Sequence, residues 1–163
     1  MSTTVLIVYR SRYGYTARRA RELADRIGPD THLVDLKDRH RIDLSPYRTV
    51  LIGGSVYGGI IQREVTAFCR AHRRELLDRR VGLFLCCLYE GERAEAQMAD
   101  SFPSWLLVHA FGRYHLGGEL DMDRLGVLDR LLVRVVLGQR EGRRVPGDAG
   151  LEALAAEARE ETR

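Results

Sequence analysis

The chain has 163 residues, of which 45% are hydrophobic, and its formal net charge is +3 at pH 7. A chain of this length can fold as one domain that buries roughly 70% of the surface its unfolded form exposes. Its basic residues are arginines apart from Lys37, and no apolar run is long enough to span a membrane. Cys69, Cys86 and Cys87 lack metal-ligand spacing, and no signal peptide stands at the N-terminus. We therefore expect one domain over residues 1–163, in a reducing cytoplasm, without a metal site or disulfides.

The first predicted strand is the apolar run Val5–Val8, which is typical of a strand buried on both faces of a parallel sheet. A hydroxyl-rich loop follows it, and Ala17–Ile27 then has apolar residues at helical spacing. The first turn of a helix leaves backbone N–H groups unpaired, and the helix dipole adds partial positive charge there. We interpret the loop as a phosphate site formed by Ser11, Arg12, Tyr13, Gly14, Tyr15 and Thr16.

The rest of the chain alternates short apolar runs with helical patterns, which is typical of an α/β fold. Further predicted strands are His32–Leu36, Thr49–Ser55, Val81–Cys87 and Gly112–Leu120. Further predicted helices are Ile61–Leu76, Glu92–Ala110 with a break at Pro103, Asp123–Leu137 and Asp148–Glu161. Five strands with intervening helices predict a doubly wound parallel sheet of order 2-1-3-4-5, with helices on both faces and an extra C-terminal helix. Ligands of such sheets bind at the carboxyl ends of the strands, at the switch point between the first and third strands.

Three loops are expected to meet at that switch point. Besides the phosphate loop, the loop after the third strand supplies Ser55, Val56, Tyr57, Gly58 and Gly59, and the loop after the fourth supplies Leu88, Tyr89 and Glu90. The two tyrosines are placed to flank a flat ring, and glycines allow close backbone approach and positive φ. Together the loops predict a ligand with a phosphate at one end and a planar heterocycle at the other.

Other phosphate-binding loops do not fit these residues. The chain has no GxxxxGK[ST] run and lacks the three spaced glycines of a dinucleotide fingerprint. A receiver-type signalling domain needs clustered acids where Arg10 and Ser11 stand, and an acceptor Asp where Gly54 and Ser55 stand. The remaining ligand is flavin mononucleotide (FMN), which this type of fold holds at its switch point.

The motif Ser11-x-Tyr13-Gly14-x-Thr16 resembles the phosphate loop of flavodoxins. Gly53–Gly59, followed by a helix, is similar to the second loop of the flavodoxin-domain family typified by menaquinone-dependent protoporphyrinogen IX oxidase. The glycines at 117–118 and the helix Leu128–Val136 also resemble that family, whereas ordinary flavodoxins lack this helix. The resemblance implies an FMN flavoprotein of porphyrin biosynthesis. Such a protein oxidises a reduced tetrapyrrole, or another polycyclic or quinol-like substrate, and passes electrons to a quinone-like acceptor.

Alternative interpretations remain at this stage. A flavodoxin-like electron shuttle has no organic substrate of its own, and an interaction module of the same fold would bind no flavin. The mild positive charge favours the enzyme over the shuttle, because shuttles of this family are usually strongly acidic. No residue stands out as a general base, and no motif indicates nucleic-acid binding. The helix Asp123–Leu137 has an apolar face flanked by arginines, so it either covers the core or contacts the inner face of an anionic membrane.

Overall fold

The computed structural model describes residues 4–37, 39, 41–57, 59–136 and 142–160. At its centre lies β1 (Val5–Tyr9), whose five residues are all buried. It pairs in parallel with β2 (Thr31–Asp35) on one side and with β3 (Thr49–Tyr57) on the other. Beyond β3, the strands β5 (Arg80–Cys86) and β6 (Gly112–His115) continue the parallel sheet.

The strand order is β2-β1-β3-β5-β6, with the two-residue β4 (Ile60–Ile61) paired antiparallel to the end of β3. Counted without β4, this is the predicted order 2-1-3-4-5, and the predicted flavodoxin-like α/β fold is confirmed.

Helices cover both faces of the sheet, as predicted. They are α1 (Tyr15–Ile27), α2 (Arg63–Ala71), α3 (Arg73–Leu77), α4 (Gly91–Ser101), α5 (Ser104–His109), α6 (Val127–Val136) and α7 (Asp148–Arg159). On one face, α1 and α7 bury Leu23 and Leu154 against β1 and β5. On the other face, α2 to α5 bury residues such as Phe68 and Met98. The expected break at Pro103 separates α4 from α5, because proline lacks the N–H that would continue the helix.

The prediction of one strand over Gly112–Leu120 is wrong. β6 ends at His115, and β7 (Gly118–Leu120) leaves the main sheet to pair antiparallel with β8 (Arg143–Val145). The turn lies at Gly117, whose φ is 78°, and a Cβ there would come within 2.4 Å of the Val145 carbonyl oxygen. Glycine is the residue that fits here, because it adopts this positive φ without strain and has no Cβ to clash. The positive φ turns the chain away from the main sheet. β8 lies in a segment predicted as turns only, of which residues 138–141 are outside the described part of the chain.

Two predicted helices have different bounds in the structure. The predicted helix Ile61–Leu76 divides at His72 into α2 and α3. The predicted helix Asp123–Leu137 begins only at Val127, and before it the Asp123 N–H is bound by the side chain of Asp121 at 3.0 Å. Such side-chain-to-backbone bonds compete with helix formation.

Candidate functional site

A crevice of about 650 Å³, part of it open to solvent, lies where β1, β3 and β5 end. The structure brings the three predicted loops together on its wall. The predicted residues found there are Ser11, Arg12, Tyr13, Tyr15, Thr16, Ser55, Val56, Gly59, Leu88 and Tyr89. Gly14 is instead the N-cap of α1, and Glu90 lines a neighbouring cleft. Gly58 and the side chain of Tyr57 lie outside the described part of the chain, so their contacts to a ring stay predictions.

The phosphate loop has the features of an anion site. The first turn of α1 carries no side-chain cap and no acidic residue, so its N–H groups are left for another acceptor. The N–H of Gly14 donates to Ser11 Oγ at 3.1 Å, which holds the loop in a compact turn. The residues present therefore fit a phosphate group without any lysine.

The floor of the crevice is uncharged at neutral pH. Burial raises the pKa of the Cys86 thiol to about 12, although a hydrogen bond from Thr16 acts in the opposite direction. Burial likewise raises the pKa of Tyr15 to about 12 and raises the pKa of Cys87. Thr16 itself is only 1% exposed, and its hydroxyl joins the phosphate loop to this floor through the contact with Cys86. A neutral floor of this kind suits a planar ring and supplies no base.

The sequence predicts a loop from Ser55 onward, whereas in the structure β3 continues to Tyr57, and the end of this strand is held by a side chain that sequence reasoning missed. The amide of Gln62 binds Ser55 twice: its Oε1 accepts from the Ser55 N–H at 2.9 Å, and its Nε2 donates to Ser55 Oγ at 2.5 Å. Gly59 has φ of 83°, the positive value expected for a glycine of this loop. These contacts fix the backbone on that side of the crevice.

Further wall residues were not predicted. They are Cys86, Cys87, Gln97, Gly118, Glu119, Leu120 and Val133. Gln97 is notable because its Oε1 is buried and has no hydrogen-bond partner among the described residues. A buried amide of this kind is usually satisfied, and the polar edge of a flavin ring could provide the missing partner. The sequence does contain one indication of this role. Gln97 lies on α4 between the buried Ala94 and Met98, so it is a polar residue on the apolar face of the helix.

One side of the crevice is covered by the segment Asp121–Val136, which contains α6 and which we call the strap. The carboxylate of Asp129 accepts hydrogen bonds from Arg12, at 2.7 Å, and from the hydroxyl of Tyr13. Leu125 and Val133 form a small apolar cluster near the phosphate loop, and Tyr13 and Leu88 pack against it. The strap is thus attached to two of the three loops of the site.

The opposite face of the strap is apolar and exposed. Its side chains are Val127, Leu128, Leu131, Leu132 and Val135, each at least half exposed. The strap therefore covers the site with one face and presents an uncovered apolar surface with the other.

Fold and crevice together define a doubly wound α/β domain with an anion-binding loop and a crevice with a largely uncharged floor at its switch point. A family model described as a flavodoxin domain matches residues 6–145, and the chain belongs to this family of redox domains. FMN is therefore its cofactor, because folds of this kind hold FMN between the ends of β1 and β3.

Solved structures share the fold at low sequence identity. A WrbA-like flavodoxin from Agrobacterium tumefaciens has 16% identity and a TM-score of 0.56, with 97% of this chain and 98% of that chain covered. The Streptococcus pneumoniae flavodoxin has 16% identity and a TM-score of 0.52, with 94% and 96% covered. Rubredoxin oxygen:oxidoreductase from Desulfovibrio gigas has 17% identity and a TM-score of 0.52, but the match covers only 36% of that longer chain. A search of curated proteins finds no match.

The first prediction concerns the phosphate loop. We expect Thr16→Ala to weaken FMN binding by about tenfold or more, because a hydrogen bond to a charged group contributes roughly 1.5 to 3 kcal/mol. Thr66→Ala on α2, outside the crevice, should leave the affinity unchanged, and Thr16→Ser should retain most of it. Flavin-fluorescence titration measures all three variants. Equal losses for Thr16→Ala and Thr66→Ala would show that the phosphate binds elsewhere.

The second prediction concerns the strap. Leu125 is 6% exposed and packs toward the phosphate loop, whereas Leu128 on the same segment is 81% exposed. Truncating a buried leucine loosens its contacts, so Leu125→Ala should raise the FMN dissociation rate several-fold. Leu128→Ala is the matched control and should leave this rate unchanged. Stopped-flow displacement of FMN gives both rates, and the same rate in Leu125→Ala as in the wild type would show that the strap does not retain the cofactor.

Proposed function

We propose that the protein is an FMN-dependent oxidoreductase of the protoporphyrinogen-oxidase type, in which residues 1–163 form one FMN-binding domain. Its substrate would be a reduced tetrapyrrole or another polycyclic or quinol-like molecule, and its acceptor a quinone or similar compound. The observation that carries the proposal is the strap, because it adds a wall to the crevice through Val133 and ties that wall to Arg12 and Tyr13. An electron carrier needs only an exposed ring edge, whereas an enzyme needs an enclosed place for a substrate.

The roles of the residues follow from their positions. Ser11, Thr16 and the uncapped N-terminus of α1 would bind the phosphate. Tyr89 would lie beside the ring, and the guanidinium carbon of Arg93 lies 5.5 Å from the centroid of the Tyr89 ring, which restrains its orientation. The chain thus binds the cofactor at one end and orients it at the other.

The electron balance of the reaction is simple. FMN, when bound, supplies a two-electron relay, and the protein orients and tunes it. In each turnover the substrate loses two electrons and two protons, and a quinone takes up the same number to become a quinol; a fully reduced tetrapyrrole needs three such turnovers to reach the porphyrin. We assign no general base. Glu119 is the carboxylate on the described part of the crevice wall, and it is paired with Arg18 at 2.8 Å.

The pairing of the Glu119 carboxylate with Arg18 favours a second candidate function, that of a flavodoxin-like electron shuttle. A shuttle exchanges electrons with protein partners and needs no proton acceptor for an organic substrate. The two candidates differ in their electron donors, which makes them separable by one experiment.

That experiment is the third prediction. Purified protein loaded with FMN should be yellow, and under anaerobic conditions protoporphyrinogen should bleach its flavin absorbance. Menadione should then restore the absorbance, with one quinone consumed for each two-electron step and three for each protoporphyrinogen oxidised to protoporphyrin. If no protoporphyrinogen or quinol reduces the flavin while a flavodoxin reductase reduces it rapidly, the shuttle is the correct function. A colourless protein that fails to bind added FMN would contradict both candidates.

We further propose that the protein works in the cytoplasm, at the inner face of the membrane, with the exposed face of the strap as its contact. Among the described residues, no helix is both long and apolar enough to cross a membrane. The apolar side chains of this face are accompanied by Arg124 and Arg134, both exposed, and this combination suits the surface of an anionic bilayer. Quinones dissolve in the bilayer, so the same contact would bring the acceptor near the crevice.

The fourth prediction tests this contact. The FMN-loaded protein should co-sediment with vesicles that contain phosphatidylglycerol, and less with neutral vesicles, since arginines attract anionic headgroups. Leu128→Glu should abolish co-sedimentation because it puts a charge on the exposed face. Val108→Glu is the control, since Val108 is 85% exposed but lies on α5, outside the strap. Wild-type protein that stays in the supernatant, or equal losses in both variants, would contradict the membrane contact.

A further inference from the structure

A second cleft, of about 760 Å³ including space open to solvent, adjoins the crevice on the side of the β3–β4 hairpin. We call it the arginine groove; the residues that matter in it are Arg10, Arg12, Arg63, Glu64, Ile60 and Ser55. Arg12 and Ser55 line the crevice as well, so the groove and the crevice share a wall. A molecule that reached into the crevice could therefore extend into the groove.

The charge of the groove is positive. Its wall has three guanidinium groups and one carboxylate, that of Glu64. Arg10 is held in place, with its Nε 3.5 Å from Glu64 Oε1 and its Nη1 bonded to the Ser11 carbonyl oxygen. Arg12 is paired with Asp129 across the shared wall. An excess of positive charge therefore remains after these pairs are counted.

Arg63 contributes most of this excess. It is exposed, and within the described ranges of the chain no ion pair involves it. It is also the first residue of α2, whose N-terminus has no side-chain cap, so the helix dipole adds positive potential at the same place. Arg63 and Arg10 thus both line the groove, and the side chain of Arg10 is already held by its contacts to Glu64 and Ser11.

The groove also has an apolar component. Ile60 is 74% exposed, although the next residue, Ile61, is 6% exposed and belongs to the core. The hairpin thus presents one isoleucine beside the guanidinium groups. A ligand that matches this surface has an apolar body and an acidic group. Arginine suits such a group because its planar fork binds a carboxylate through two hydrogen bonds.

We propose that the arginine groove binds the carboxylate group of a polycyclic redox partner of FMN, with the ring system of that partner against Ile60 and the mouth of the crevice. This rests on the proposed function and narrows its substrate class to acidic polycyclic molecules. A small molecule fits better than an acidic protein surface, because the side chain of Arg10 is only 19% exposed and is reached from within the groove.

The test uses two probes with the same ring, anthraquinone carboxylate and the corresponding neutral carboxamide. Isothermal titration calorimetry with oxidised, FMN-loaded protein measures binding without turnover. We expect the carboxylate to bind about tenfold more tightly than the carboxamide, and added salt to reduce this difference. Arg63→Gln should weaken carboxylate binding about five- to tenfold and leave carboxamide binding unchanged.

Arg70→Gln is the matched control, because Arg70 is an exposed arginine of the same helix outside the groove. It should behave as the wild type, and all variants should retain the wild-type affinity for FMN. Equal binding of both probes to the wild type would overturn the proposal, as would equal losses in the two variants. Binding of an acidic redox protein without binding of either probe would overturn it in favour of a protein partner.

The result of this titration can be distinguished from a failure of the proposed oxidoreductase function. If the protein fails to hold FMN, or if no organic donor reduces the flavin, the proposed oxidoreductase function is wrong. The same titration on protein without FMN then still reports on the groove, because Arg63 lies outside the crevice wall. A preference for the carboxylate that disappears in Arg63→Gln would uphold the anion site even in that case.

Discussion

The constraint on which the structure depends is the complete burial of β1 between two parallel neighbours. Residues Val5 to Val8 are 0% exposed, and each pairs with β2 on one side and β3 on the other. Parallel strands end at the same edge, so the loops after β1 and β3 must emerge side by side. The loop after β5 joins them, because β5 pairs with β3 up to Ser55 and Cys86. The crevice is thus a consequence of strand pairing before any side chain of the site is considered.

The burial of β1 also explains which parts of the fold and of the site can be predicted from the sequence. The apolar run of β1, the hydroxyl-rich loop and helical pattern after it and the glycine-rich segment Gly53–Gly59 are local signals, and they lead to the fold, the cofactor and most of the crevice wall. The division of the predicted fifth strand into β6 and β7 is caused by contacts with a segment that is distant in the sequence. The composition of Gly112–Leu120 suits one strand, and the turn at Gly117 depends on the Val145 carbonyl oxygen, which comes from a distant segment. Contacts between distant segments leave no periodic pattern in either one.

Gln62 and Gln97 illustrate the same limit at the level of the site. Each is an ordinary polar residue at or near a helix, and glutamine is common on helix surfaces. Gln62 matters because its amide matches the N–H and hydroxyl of Ser55, and Gln97 matters because its oxygen is buried beside the crevice. Both roles follow from the relative position of two elements. Sequence reasoning identifies residues whose chemistry is distinctive, such as glycines and hydroxyls in a loop, and misses those made distinctive by their surroundings.

The surroundings of the crevice differ in polarity between its two sides. On one side, the strap contributes Val133 and the end of β7 contributes Leu120 to the wall, and the strap presents an apolar outer face. On the other side, the arginine groove contributes guanidinium groups beside Ile60. An amphipathic molecule entering between them would be oriented by both, since its acidic group is favoured near the arginines and its apolar body near the strap. A charged rim beside an apolar patch also serves the docking of protein partners, because it fixes the orientation in which they meet the flavin. The two-sided polarity therefore favours an acidic and partly apolar redox partner, and the same physical argument applies to a small molecule and to a protein surface.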